Sequence, residues 1–136
     1  MSGGFRFLPH TADVRFEAWG TTREECLAEA ACALIAAFAE VPGTAPARTT
    51  SAEIDGGDEQ LLLAALDEII YRLDAGGTVP RSVEARPTPT GLALDLSEVD
   101  VDRVRFTGAA PKAISLHGFS FAHDEHGWRC TVTVDV

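Results

Sequence analysis

The segment from Trp128 to Asp135 sets the tightest constraint on the fold. Trp128, Cys130, Val132 and Val134 alternate there with Arg129, Thr131, Thr133 and Asp135. An alternation of period two places every second side chain on one face of a strand, so this segment is expected to lie half-buried in a sheet. The apolar pattern runs to Val136, the last residue of the sequence. The chain is therefore expected to stop inside or at the rim of its sheet, tied down where termini otherwise fray. Asp135 and the α-carboxylate of Val136 would then sit on the order of one residue's rise apart, about 3.3 Å. Two anions held so close repel each other. A hard divalent cation, which takes oxygen ligands, would relieve that repulsion if a third carboxylate came from elsewhere. An ordinary strand-end acid facing water is the alternative.

The remaining pattern predicts an α+β domain. Short strands are expected over residues 5–9 and 14–18, the second from Val14, Phe16 and Ala18 alternating with Arg15, Glu17 and Trp19. Either Thr21 or Thr22 has a glutamate three positions on, as in a capping box, and opens an amphipathic helix. Leu27, Ala30, Ala31, Leu34, Ile35 and Phe38 carry its apolar face over about 17 residues, closing near Pro42-Gly43. Residues 43–51 read as a loop and 51–55 as a short strand. Asp58 is the expected N-cap of a second helix with Leu62, Leu66, Ile69, Ile70 and Leu73 on its buried stripe, stopping at Gly76-Gly77. Beyond it the pattern is β: a hairpin of Val79–Pro87 with Gly91–Val99, a strand over Val101–Gly108, and a hairpin of Ala113–Ala122 with Trp128–Val136. This order predicts a single compact domain over 1–136, two amphipathic helices packed on a mainly antiparallel sheet that ends in C-terminal hairpins.

Composition excludes several classes. With 21 acidic against 11 basic residues the net charge is −10, so strong direct binding of nucleic acid, which begins by neutralising phosphates, is not expected. An acidic surface suits a protein partner with a basic face, or solubility alone. No apolar run reaches the ~18–20 residues needed to span a bilayer, and the start lacks the pattern of a signal peptide, so a cytoplasmic protein is expected. Cys26, Cys32 and Cys130 have no paired spacing and read as reduced thiols. Ten of the eleven bases are arginine, which leaves Lys112 as the one compact ammonium that a guanidinium cannot replace.

Three further constellations carry chemical groups. His10-Thr11-Ala12-Asp13 joins two strands, where Thr11 and Asp13 also suit a turn. In Lys112-Ala113-Ile114-Ser115-Leu116-His117, a regular strand sets Lys112 and His117 on opposite faces, which argues against a joint catalytic pair. His117 reads as a packed or hydrogen-bonded sheet residue. His123-Asp124-Glu125-His126-Gly127 has metal-binding side chains but the position and terminal glycine of a hairpin turn. The roles of His10, His117, His123 and His126 stay open, and no nucleophile elbow, P-loop or zinc motif occurs.

Taken in order, His10-Thr11-Ala12-Asp13-Val14, Glu29-Ala30-Ala31, Glu68-Ile69-Ile70-Tyr71, Pro111-Lys112-Ala113-Ile114-Ser115-Leu116-His117 and Val134-Asp135-Val136 resemble the archease family. The resemblance runs over nearly the whole chain, and its ordered set is more specific than any one piece. It implies a divalent-metal site on Asp13, Asp135 and the C-terminal residue Val136, holding Ca²⁺ or, as the alternative, Mg²⁺. It implies that the protein is no enzyme itself but an activator of an RtcB-type RNA ligase in tRNA splicing and RNA repair, promoting guanylylation and multiple turnover. Lys112 matches a family lysine implicated in that activation. A chaperone-like role toward a tRNA methyltransferase is the second reading, and a small metal-dependent hydrolase the third. The family segment more often reads Lys-Ala-Ile-Thr-Tyr-His, so Ser115 and Leu116 are departures, as is Val136 in place of the commoner isoleucine.

Overall fold

The computed structural model describes residues 3–9 and 13–136. The alternating segments become strands, and every pairing between them is antiparallel. β1 (Gly4–Leu8) pairs with β2 (Val14–Gly20), β2 pairs with the last strand β9 (Gly127–Asp135), and β9 pairs with β8 (Ala113–Asp124), giving the order β1-β2-β9-β8. Phe16 and Ala18 of β2 and Cys130, Val132 and Val134 of β9 are all buried on its inner face. A second, three-stranded sheet has the order β4-β6-β5, from Arg48–Asp55, Gly91–Asp100 and Thr78–Pro87. Two-residue strands β3 (Ala39–Glu40) and β7 (Arg105–Phe106) pair apart from both.

The helices form the layer that the two larger sheets share. α1 (Arg23–Ala36) packs on β1, β2 and β9 of one sheet and on β5 of the other, while α2 (Asp58–Gly76) packs on β8 and on β4, β5 and β6. Burial of α1 exceeds one amphipathic stripe for this reason: Cys26 and Ala33 are buried as well as Leu27, Ala30, Ala31, Leu34 and Ile35. Thr22 is the N-cap, its hydroxyl accepting from the Glu25 N–H at 3.1 Å. Glu25 reaches back one residue further than in a capping box, to the Thr21 N–H at 2.8 Å.

Four expectations are corrected. α1 ends at Ala36 rather than near Pro42, because the chain turns into β3 and pairs with β7; Phe38 stays buried outside the helix and stacks on Phe106. The N-cap of α2 is Gly57, whose N–H donates to Gln60 Oε1 at 3.0 Å, while Asp58 sits in the first turn and binds Arg23 at 3.2 Å. Residues 48–50, read as loop, belong to β4, where Arg48, Thr49 and Thr50 pair with Glu98, Ser97 and Leu96. Val101–Gly108 is not one strand: a 3₁₀ turn over Val101–Arg103 precedes the short β7. The close of α2 is as expected, with Gly77 at φ 65° donating its N–H to the Arg72 carbonyl.

A buried carboxylate fastens the second sheet to α2. The Glu98 side chain is 5% exposed. It accepts from Thr78 Oγ1 and Thr50 Oγ1, both at 2.7 Å, and from Arg72 Nη1 at 2.9 Å. Burial alone pushes a carboxyl group up, but the Thr78 and Thr50 hydroxyls and the Arg72 guanidinium outweigh it, and Glu98 is held below its ordinary value. A depressed carboxylate stabilises the fold above its unfolded pKa of about 4.3, and that contribution is lost as pH falls through the folded value. Glu98→Gln leaves the Arg72 charge without its buried partner, and a loss of about 2–4 kcal/mol at pH 7 is expected. In chemical denaturation the gap between wild type and variant narrows below about pH 4; a gap unchanged with pH would contradict the ion pair.

Candidate functional site

The register of β2 on β9 determines what meets at one end of the four-stranded sheet. Val14 pairs with Val134, so Asp13, the residue before β2, and Asp135, the last residue of β9, lie at the same end of the sheet. On the other flank Asp135 pairs with Ala113, and the Lys112 N–H donates to the Asp135 carbonyl at 2.8 Å. Asp13, Asp135 and Val136 are half-buried and Lys112 is exposed. The Val136 side chain packs against the core, which ties down the end of β9. Asp13, Asp135, Val136 and Lys112 therefore stand at one end of one sheet. His10, Thr11 and Ala12 lie outside the described residues.

The donor chemistry at this end suits a hard cation. Asp13 and Asp135 offer carboxylate oxygens, and the main-chain carboxylate of Val136 would be a third. Among the described residues no group of three or more His, Cys, Asp or Glu side chains could hold a metal ion. A site here would need that main-chain oxygen as its third donor. Beside it a shallow cavity of about 380 Å³ is lined by Phe7, Leu8, Asp13, Val14, Arg15, Ala36, Ala37 and Thr107. The C-terminal end of α1 reaches this cavity, and no basic residue stands in its last turn. The negative end of the helix dipole thus adds to the acidic character of this end.

The other constellations resolve into structure. The turn between β8 and β9 is closed by the His126 N–H donating to Asp124 Oδ1 at 2.7 Å, and His123 stacks on Trp128 with ring centroids 4.4 Å apart. This is the expected hairpin turn. His117 lies in β8 and is hydrogen-bonded rather than packed: it is exposed, and its backbone N–H donates to Ser115 Oγ at 3.2 Å. The cysteines are free thiols. A hydrogen bond with Cys130 and burial push Cys26 far up, and burial pushes Cys32 up, so both are inert at neutral pH. Among the described residues no helix is long and apolar enough to cross a membrane.

With this geometry in view, the model of the Archease protein family (MTH1598/TM1083) matches residues 5–136. The chain belongs to the archease family. A "Probable protein archease" of Mycobacterium tuberculosis is 37% identical over 136 residues, covering 99% of this chain and 76% of that protein. The solved structures share the archease fold at lower identity. Protein 1598 of Methanobacterium thermoautotrophicum superposes with a TM-score of 0.71 at 22% identity, over 98% of this chain and 99% of its own. An archease of Thermotoga maritima, described as a possible chaperone, gives 0.69 at 19% identity, over 95% and 94%.

Sequence reasoning missed the shape of β8. Its ladder with β9 is interrupted between Ser115 and Ser120, which leaves Leu116 exposed. Gly118 was the available signal, since a glycine inside a strand pattern often marks a bulge. At Lys112 the ladder contact is made by the main chain. Lys112→Ala is expected to leave stability within about 0.5 kcal/mol, whereas Lys112→Pro removes the N–H donor and costs about 1 kcal/mol or more. Thermal denaturation of the two variants checks this; an equal loss in both would place the contribution in the side chain.

Proposed function

We propose that this chain activates an RtcB-type RNA ligase, without catalytic groups of its own, by docking the end that carries Asp13, Asp135, Val136 and Lys112 beside the ligase active site. The reading rests on membership of the archease family, and one observation supports it: the β2–β9 pairing, whose Val14↔Val134 end has Asp13 and Asp135 as the adjoining residues. In this proposal Asp13, Asp135 and the Val136 carboxylate hold Ca²⁺ or Mg²⁺, which supplies a fixed positive charge where the carboxylates would otherwise repel. Lys112, exposed just before β8, offers an ammonium able to meet a phosphate or carboxylate of the partner. The net charge of −10 favours encounter with the basic surface of an RNA-handling protein over direct binding of RNA.

An accessory role fits membership of the archease family. Bond-making with GTP and RNA ends then belongs to the ligase. The description of the Thermotoga protein as a possible chaperone favours a second reading, a chaperone-like partner of a tRNA methyltransferase.

Single- and multiple-turnover RNA ligation, with and without the protein, tests the proposal. Wild type is expected to restore multiple turnover. Asp13→Asn and Asp135→Asn are expected to lower turnover to the unstimulated level while keeping stability within about 0.5–1 kcal/mol. Lys112→Ala should lower stimulation without changing the fold. Full stimulation by both aspartate variants would sink the carboxylate site. Wild type that leaves ligation unchanged but raises the yield of soluble, active methyltransferase would favour the second reading.

A further inference from the structure

The interruption of β8 is a built feature. Ile114 pairs with Val134 and Ser115 with Thr133, but the next pair is Ser120 with Thr131, so β8 takes five steps where β9 takes two. Had the ladder continued, Leu116 would share the inner face with Ile114, which is buried. Instead Leu116 is 69% exposed, the most exposed large apolar side chain among the described residues. The inner face resumes at Phe119, which packs on the core, and at Phe121, which is buried. The Ser115 hydroxyl accepts the His117 N–H, and Gly118 takes a left-handed conformation at φ 72° with open space around the position of a Cβ. Such bulges re-aim a side chain, and this one turns a leucine from the core to solvent.

We propose that Leu116 is the apolar anchor by which this end of the sheet docks on its protein partner; the partner's identity as the ligase rests on the reading above. Leu116 lies one residue beyond Ser115, which pairs two positions from Asp135, so the anchor stands on the order of 7–10 Å along the strand from the acidic end. Lys112, just before β8, and His117, within it, are exposed. The fitting partner surface is an apolar recess set in a basic face, since the chain carries a net charge of −10. A second copy of this chain fits less well. β8 is an edge strand, and strand addition needs an unbroken ladder. The bulge breaks that ladder and engages the His117 N–H internally.

Calorimetric titration of the purified full-length ligase with wild type, Leu116→Asp, Leu116→Ala and Leu116→Tyr tests the anchor. Leu116→Asp is expected to weaken the dissociation constant tenfold or more, Leu116→Ala about threefold or more, and Leu116→Tyr less than twofold. Melting temperatures should stay level, because the side chain is exposed. At saturating concentration Leu116→Ala should still restore turnover, which separates docking from the carboxylate end. Wild-type binding that survives Leu116→Asp within twofold overturns the anchor alone. So does a wild-type dimer in sedimentation that Leu116→Asp dissolves while ligase binding stays unchanged. A wild-type protein that does not bind the ligase overturns the ligase reading and this anchor with it.

Discussion

The antiparallel pairing of β2 with β9 is the constraint on which the rest depends. It joins residues from opposite ends of the chain, from Val14↔Val134 to Gly20↔Trp128. Closing so long a loop carries an entropic cost. Burial of Phe16, Ala18, Cys130, Val132 and Val134 on one face offsets it. Because side chains alternate with period two, a slip of one residue would turn that entire set to water. The register is therefore fixed by the core, and it brings Asp13, just before β2, to the same end of the sheet as Asp135 without any attraction between the two like charges.

The second sheet and the helices serve this arrangement by stiffening it. α1 is clamped between β2 and β5, and α2 between β8 and the three-stranded sheet. Glu98 draws β4, β5, β6 and α2 together through Thr50, Thr78 and Arg72. Gly91 lets β4 and β6 approach, since a Cβ there would come within 2.0 Å of the Ile54 carbonyl oxygen. Precision in this half of the molecule leaves the far end of the other sheet free for exposed and charged groups, including Lys112 and Leu116.

Much of this was legible in the residues, and the exceptions have physical causes. Strict alternation gave β2 and β9, and the helical spacing gave α1 and α2, because each element buries a regular face. The early end of α1 was not legible: Phe38 continues the apolar period, yet pairing of Ala39 with Phe106 takes the chain out of the helix. The first three residues of β4, Arg48, Thr49 and Thr50, looked like loop because they are polar, as an edge strand's residues are; their pairing with β6 is set by tertiary context. Asp135 at a strand end could be read from alternation alone, whereas its neighbour across the sheet could not, because nothing local specifies which strand lies beside β9. That pairing was carried by the archease resemblance. Leu116 shares the parity of buried Ile114, and only the bulge, with Ser115 and Gly118 shaping it, sends it to solvent.

We propose that the end of the β2–β9 pair forms a cation site from Asp13, Asp135 and the Val136 carboxylate. Titration calorimetry of Ca²⁺ and Mg²⁺ into chelator-treated protein measures this most directly. The account predicts one saturable site per chain that vanishes in Asp13→Asn and in Asp135→Asn, with both variants still folded. Absence of binding in wild type, or binding that both variants retain, would contradict it.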